Sequence, residues 1–425
     1  MISLLLFVTV PTRLAILWRK RLSSRRDAKR DACVRRIIVF RLDQLGDVVL
    51  TTPLFRELKR MYPQARCTVV VQAAFRSLLS PNRNVDEVLS PRDIRKKWLP
   101  VRARRLLSAL WFYWTALRRS RFDLAIVPRW DVDESLATML CALTYASKRI
   151  GYSEQASAAK RRINRGFDAA FDVIVPAGPL PHEVDRNLAI VEALGGRVES
   201  RSPEIYLTDG DRRFADELLT HHDSRSVLVA LGIGARAAGR KWPLRNYADC
   251  IARLAERRKV QPIIVCSAGE ETEASELSRM LPAPPYILSG APLRVVCAVL
   301  QRCAAFIGND SGVAHLAAAM DCPTAVVSRH PLAGNPDHPN SPARFAPRCV
   351  HFRVVQPITV PDTCMAACIA TEAHCIRRVT VERVVAAATQ MLSIPVHTSP
   401  TAAQAPLDGA GTVRDLPAMA VPGHA

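Results

Sequence analysis

Three short stretches carry the side chains best suited to chemistry. The first is Arg41-Leu-Asp-Gln-Leu-Gly-Asp47, which lies between an apolar run and a helical pattern. A carboxylate at such a point either takes a proton from a hydroxyl as a general base or only caps the helix by accepting its orphan amides. Both readings of Asp47 stand at this stage. Gly46 permits a tight turn just before it. The second stretch is Gly232-Ile-Gly-Ala-Arg-Ala-Ala-Gly-Arg-Lys-Trp-Pro243. Its Arg236, Arg240 and Lys241, with glycine-flanked backbone amides, suit a diphosphate, or they form a solvated basic loop. The third is Gly308-Asn-Asp-Ser-Gly-Val-Ala-His315. Amides and the Ser311 hydroxyl at a helix N-terminus make an anion site, and His315 comes one turn later on the same face. The plainer alternative makes Asp310 and Ser311 caps and His315 a core side chain. Glu270, Glu271 and Glu273 come after another apolar run. Glu271 could grip ribose hydroxyls or simply favour the helix start.

These stretches need elements to hold them. Ile37–Phe40, Thr68–Val71, Leu124–Val127 and Ile150–Tyr152 read as strands, with helices over Val48–Met61, Glu134–Leu143 and His182–Leu194. A second series of strands begins at Val227 and continues at Pro262–Cys266, Ile287–Leu288, Phe306–Gly308 and Thr324–Val327. Helices alternate with these, around 244–258, 271–280, 293–303 and 312–320, and a last helix covers Val381–Met391. Strands alternating with helices of this length predict parallel sheets in an α/β class. Two such series predict two doubly wound, Rossmann-like domains with a cleft between them. The expected division is a basic and apolar extension at 1–35, one domain at 36–205, a second at 206–392, and a disordered tail at 393–425 rich in Pro, Ala and Gly. Ligands of open parallel sheets bind at the carboxyl ends of strands, which is where all three stretches fall. The G-x-G-x-x-G pattern is missing from the first, which argues against a dinucleotide oxidoreductase.

The 425 residues hold 59 Lys and Arg against 39 Asp and Glu, a net charge of +20. An apolar fraction of 49% excludes a chain disordered throughout. No apolar run reaches the roughly 20 residues of a spanning helix. The excess charge is local. Residues 1–36 and 92–121 together carry 17 of the 20 charges. Both mix cations with large apolar groups, as in MISLLLFVTVPTRLAILWRKR and RKKWLPVRARRLLSALWFYWTALRRSR. That mixture suits an anionic membrane surface. For 106–117 a helix half buried in the core is the equal alternative. A nucleic-acid surface has the charge but no use for the aromatic residues, and no recognition motif supports it. The apolar N-terminus lacks a small-residue cleavage site and has its strongest charge after the apolar run, which favours retention in the cytoplasm. An in-plane anchor or a disordered extension is expected there. Cys364, Cys368 and Cys375, with His374, depart from a regular C-x2-C pair. They read as reduced thiols, with a zinc site as the alternative.

Taken together, IIVFRLDQLGDVVLTTPLFRELKRMYP, GRKWP, FIGNDSGVAHLAAAMDCPTAVV and the late cysteines before VTVERV resemble the ADP-heptose:lipopolysaccharide heptosyltransferases, glycosyltransferase family 9. The resemblance runs from about Arg36 to Met391. It implies a GT-B fold and an inverting, metal-independent transfer from a nucleotide-diphosphate sugar, with no cofactor. By the same resemblance Asp47 is the catalytic base, and Arg41 and Gly46 lie on the acceptor side. Asp310, Ser311, Gly312 and His315 form the donor motif. Arg240 stands where the family usually has a diphosphate-binding lysine, with Lys241 next to it. ADP-heptose, a lipopolysaccharide or glycolipid acceptor and the inner-membrane surface are the partners implied, for a cytoplasmic protein held peripherally on that membrane. The alternatives are another GT-B transferase or epimerase, or a membrane-associated protein that binds a sugar nucleotide without turnover.

Overall fold

The computed structural model describes residues 8–23, 34–92, 94, 98–178, 181–336, 338, 340–365 and 371–393. The tail expected at 393–425 falls outside the described residues except for Ser393, and Cys368 also lies outside them.

Residues 36–175 contribute strands β1 (Arg36–Arg41), β2 (Arg66–Val71), β3 (Glu87–Leu89), β4 (Arg121–Val127), β5 (Tyr145–Tyr152) and β6 (Val173–Val175). They pair in parallel in the order β3-β2-β1-β4-β5-β6. Residues 227–355 contribute β7 (Val227–Gly232), β8 (Val260–Cys266), β9 (Tyr286–Ser289), β10 (Ala305–Asn309), β11 (Thr324–Val327) and β12 (Phe352–Val355). Their order, β9-β8-β7-β10-β11-β12, repeats the first pattern strand for strand. Each sheet reverses direction beside its first strand, and that reversal opens a crevice at the strand ends.

The main helices are α1 (Val10–Ser23), α2 (Leu45–Met61), α3 (Val101–Phe112), α4 (Ala137–Leu143), α5 (Glu183–Ala193), α6 (Asp209–Leu218), α7 (Leu244–Ala255), α8 (Glu271–Met280), α9 (Leu293–Leu300), α10 (Gly312–Ala319) and α11 (Val381–Leu392). Both faces of each sheet are covered, which is why the strands read as unbroken apolar runs and not as alternating ones. Ile38 and Phe40 of β1 face the layer of α1, α3 and α4, while Ile37 and Val39 face α2 and α5. In the second sheet Leu228 and Ala230 face α9 and α10, and Val229 and Leu231 face α7, α8 and α11.

Four details differ from the sequence expectations. β3, β6 and β12 run for only three or four residues at or near the sheet edges, too short to show a pattern. The polar stretch after residue 197 contains α6, whose capping box joins Thr208 and Asp211 but which buries little beyond Ala215. Its polar character hid it. The apolar N-terminus forms α1 and docks on the first sheet through Ala15 and Ile16, with the Thr9 hydroxyl bonded to the Ile163 carbonyl at 2.7 Å. Helix α2 also starts earlier than its apolar spacing suggests, and Pro53 lies within it, as in the expected range. Proline has no amide to offer the Val49 carbonyl. The Thr52 hydroxyl donates to that carbonyl instead, at 2.7 Å.

Candidate active site at the facing strand ends

Strand β1 delivers Arg41 to its carboxyl end, and the turn 42–44 leads into α2 with Asp47 in the first turn. The capping reading of Asp47 holds, and its two oxygens face different partners. Oδ2 accepts the Gln44 amide at 3.1 Å, closing a capping box. Oδ1 lies 3.3 Å from the fully buried Arg41 guanidinium and 3.8 Å from that of Arg129. Arg129 stands just past β4 and also meets Asp43 at 3.2 Å. Arg41 reaches Asp43 as well, at 3.3 Å. Two acids and two cations therefore interlock at the reversal between β1 and β4. Burial pushes the Asp47 carboxyl above its ordinary value, and Arg41 and Arg129 only partly offset this because Asp43 and Glu183 repel the charge. A carboxyl raised by burial yet held beside cations is the kind of perturbed group that marks a candidate functional site.

Asp47 lines a cleft of about 840 Å³. Arg92, Arg104 and Arg105 stand around it, with Arg104 and Arg105 on α3, and Arg236 reaches it from the loop after β7. Its walls mix these arginines and Arg129 with acids, Asp43 and Asp47 at the mouth of β1 and Asp131 and Glu134 past β4.

The other side of the site is built on β7, β8 and β10. Asn309 ends β10 fully buried and ties the strand ends together. Its side-chain amide donates to the Ile233 carbonyl at 2.7 Å, and its oxygen accepts the Trp242 amide at 2.8 Å. Trp242 is the anchor of the GRKWP loop: it is buried, sits edge-on to Tyr247 at 5.0 Å, and its indole N–H bonds to the Val379 carbonyl at 2.9 Å. So held, the loop places Arg240 2.6 Å from Asp310. Lys241 turns the other way and sits 2.8 Å from Glu270 and 2.7 Å from Glu273. Burial opposes the Lys241 charge, but the two glutamates outweigh it and raise its proton affinity. Glu271 accepts the Ser289 hydroxyl at 3.1 Å at the rim of this half. Ser311 occupies the N-cap position of α10 and Gly312 its first turn.

The two halves meet where the motifs meet. A Cβ on Gly46 would stand 2.7 Å from the His315 ring, and one on Gly312 would stand 2.8 Å from Leu45. Only glycine lets the starts of α2 and α10 approach so closely. His315 is fully inside this contact. Burial drives its pKa down to about 4, against the pull of Asp310, so the ring is neutral at ordinary pH. Its Nδ1 has no hydrogen-bond partner among the described residues, unlike a satisfied core histidine. Sequence reasoning missed Arg129 and Asn309, although each sits at the end of an apolar run, where ligands of parallel sheets bind. It also missed a second seam. Arg344, in the segment after β11, reaches Glu183 of α5 at 2.9 Å and Asp131 at 3.3 Å. Trp130 lies under both Arg186 and Arg344, with guanidinium carbons 3.7 and 4.9 Å from its ring centre.

Comparison with known proteins agrees with this geometry. The profile of glycosyltransferase family 9 (heptosyltransferase) matches residues 111–327. The chain is 23% identical over 294 residues to the lipopolysaccharide core heptosyltransferase OpsX of Haemophilus influenzae, covering 68% of this chain and 77% of that one. Among solved structures, a glycosyltransferase family 9 protein from Veillonella parvula superposes with a TM-score of 0.66 at 18% identity, over 86% of this chain and 99% of that one. The heptosyltransferase WaaC of E. coli, solved with ADP, gives a TM-score of 0.61 at 19% identity, over 84% and 99%. The two parallel sheets with a cleft at their facing strand ends are thus a GT-B fold.

Proposed function

The chain belongs to glycosyltransferase family 9, and from that premise we infer that it moves heptose from ADP-heptose onto a hydroxyl of a lipopolysaccharide core or related glycolipid, with inversion at the anomeric carbon. That it is a glycosyltransferase follows from the family. The sugar and the acceptor class are supported by the names of the curated relatives, and the nucleotide by the ADP bound in the WaaC neighbour. The observation that carries the mechanism is the contact of Gly46 with His315, which brings the start of the Asp47 helix against the start of the Ser311 helix.

In this reading the acceptor occupies the arginine-rimmed cleft beside Asp47. Asp47 Oδ1 takes the proton from the acceptor hydroxyl as its oxygen attacks the anomeric carbon. The bond from that carbon to the diphosphate breaks on the opposite face, and ADP leaves with the electron pair. Arg240 and the amides at the start of α10 meet the charge that grows on the diphosphate. With positive charge supplied by side chain and backbone, these steps are written without a metal ion. The test is a panel of nucleotide sugars read by melting temperature and by product. A ligand at 100 times its dissociation constant stabilises the native state by about 2.7 kcal/mol. ADP-heptose should raise the midpoint and give a heptosylated product. Another nucleotide sugar doing both in its place would overturn the donor, and tight binding without transfer or hydrolysis would overturn turnover.

The same reading places the enzyme peripherally on the cytoplasmic side of the inner membrane. Among the described residues no helix is long and apolar enough to cross a membrane. The support lies on α1 and α3, whose inner sides enter one core. Their outer sides, with the helical turn Tyr113–Leu117 that continues α3, leave Leu14, Leu17, Trp111 and Trp114 56–60% exposed, with Arg118 stacked over Trp114 at 4.3 Å. Tyr145 bridges the two elements, edge-on to Trp18 at 6.4 Å and paired with Tyr113. Liposome flotation should recover the protein with anionic vesicles and lose it in high salt. Equal recovery in the unbound fraction with and without anionic lipid would reject the surface.

A further inference from the structure

The segment between β12 and α11 takes no part in the steps above, yet it backs the loop that carries Arg240. The Gly239 amide donates to the Thr371 carbonyl at 3.0 Å, and the Trp242 indole donates to the Val379 carbonyl at 2.9 Å. Between these two anchors and the end of β12 lie Cys364, His374 and Cys375, whose ligand atoms fall within 4.8 Å of one another. His374 Nδ1 is 3.3 Å from the Cys375 sulfur and 3.8 Å from the Cys364 sulfur. Both sulfurs are buried, with Val360 packed against them.

The two nitrogen–sulfur distances lie within about 0.3 Å of those a tetrahedral zinc sets. Zinc–sulfur bonds of about 2.3 Å and zinc–nitrogen bonds of about 2.0–2.1 Å set ligand atoms roughly 3.5–3.8 Å apart. Two thiols and an imidazole are also the donor set that selects zinc over the oxygen-seeking cations. We propose that Cys364, His374 and Cys375 bind a zinc ion that clips this strap together behind the Arg240 loop, one tetrahedral position remaining for a further ligand. Binding converts both thiols to thiolates and releases two protons to solvent, so affinity falls as pH falls. The ion makes no bond to either substrate. It fixes the strap to which Gly239 and Trp242 are bonded, and through them the position of Arg240. This role stands apart from the identity of the sugar and would hold for any donor.

The test uses the full, untagged chain, stripped with a chelator and kept reduced. Cobalt titration should give a sulfur-to-metal charge-transfer band that saturates at one equivalent, and zinc should bleach it. Zinc should also restore the melting midpoint that chelation lowers. The band should vanish in the Cys364→Ser Cys375→Ser variant. His374 is exposed, so His374→Ala should fold normally and bind at least about tenfold more weakly, since losing a ligand must cost no less than losing a supporting contact, which costs about 10–100-fold. Absence of the band in the wild-type chain, its persistence in the double cysteine variant, or unchanged cobalt affinity in His374→Ala would overturn the site.

Discussion

Asp47→Asn is expected to lower kcat by roughly 10²–10⁴, the usual contribution of a positioned general base, while the protein remains folded and binds the sugar nucleotide. The asparagine keeps the shape and can still accept the Gln44 amide, so the start of α2 should survive. It cannot hold a proton taken from the acceptor. The stability side has a definite sign. The folded-state pKa of Asp47 is raised, chiefly by burial. A raised acid binds its proton more readily in the native state, so this group favours folding most at low pH and loses that contribution as pH rises through the folded value. At neutral pH the ionised carboxylate weighs against the fold, and its neutral isostere should not lower the melting midpoint. The acid limb of the wild-type pH–rate profile should accordingly lie above the ordinary carboxylate value of 3.8. Steady-state kinetics with calorimetric donor binding checks both halves. A kcat within a few-fold of wild type would remove Asp47 from the chemistry.

Arg240→Ala should be nearly as severe, lowering kcat by about 10²–10³, as loss of one group facing a developing charge does. The geometry separates it from its neighbour. Arg240 is held against Asp310, beside the start of α10, whereas Lys241 is held between Glu270 and Glu273. Removing Arg240 does two kinds of harm. It takes away a cation, and it leaves the Asp310 carboxylate unbalanced where a diphosphate must sit. Arg240→Lys restores the charge without the planar fork and should recover only part of the rate. Lys241→Ala should act mainly on nucleotide affinity through Glu270 and Glu273. Should Lys241→Ala prove the more damaging to kcat, the assignment of the two cations reverses.

The sequence made the centre of the site visible because chemistry and folding use the same residues there. Buried strands read as apolar runs, and the residues just past such a run in a parallel sheet stand at the mouth of the crevice. That reasoning reached Asp47, Arg240, Ser311 and His315. It could not tell that Gly46 and Gly312 serve the meeting of two helices, because that contact joins residues far apart in the chain. Arg129 was legible in principle, one residue past Pro128 beyond β4, but its partners Asp43 and Asp47 come from the turn and helix that follow β1. Arg344 gave no sign at all: its importance lies in Asp131 and Glu183, which stand 213 and 161 residues earlier. The half-exposed α3 was ambiguous for a physical reason. One side is core and the other is apolar and exposed, a pattern that sequence spacing alone does not divide between the two readings.

The indole of Trp130 rests between a guanidinium from its own half and one brought by the other, with Glu183 bonded to both. A ring whose two charged neighbours ride on different bodies has an excited state that feels their separation. With the other tryptophans of the chain replaced, the emission of this indole should report any change in the spacing of the two arginines without an attached dye.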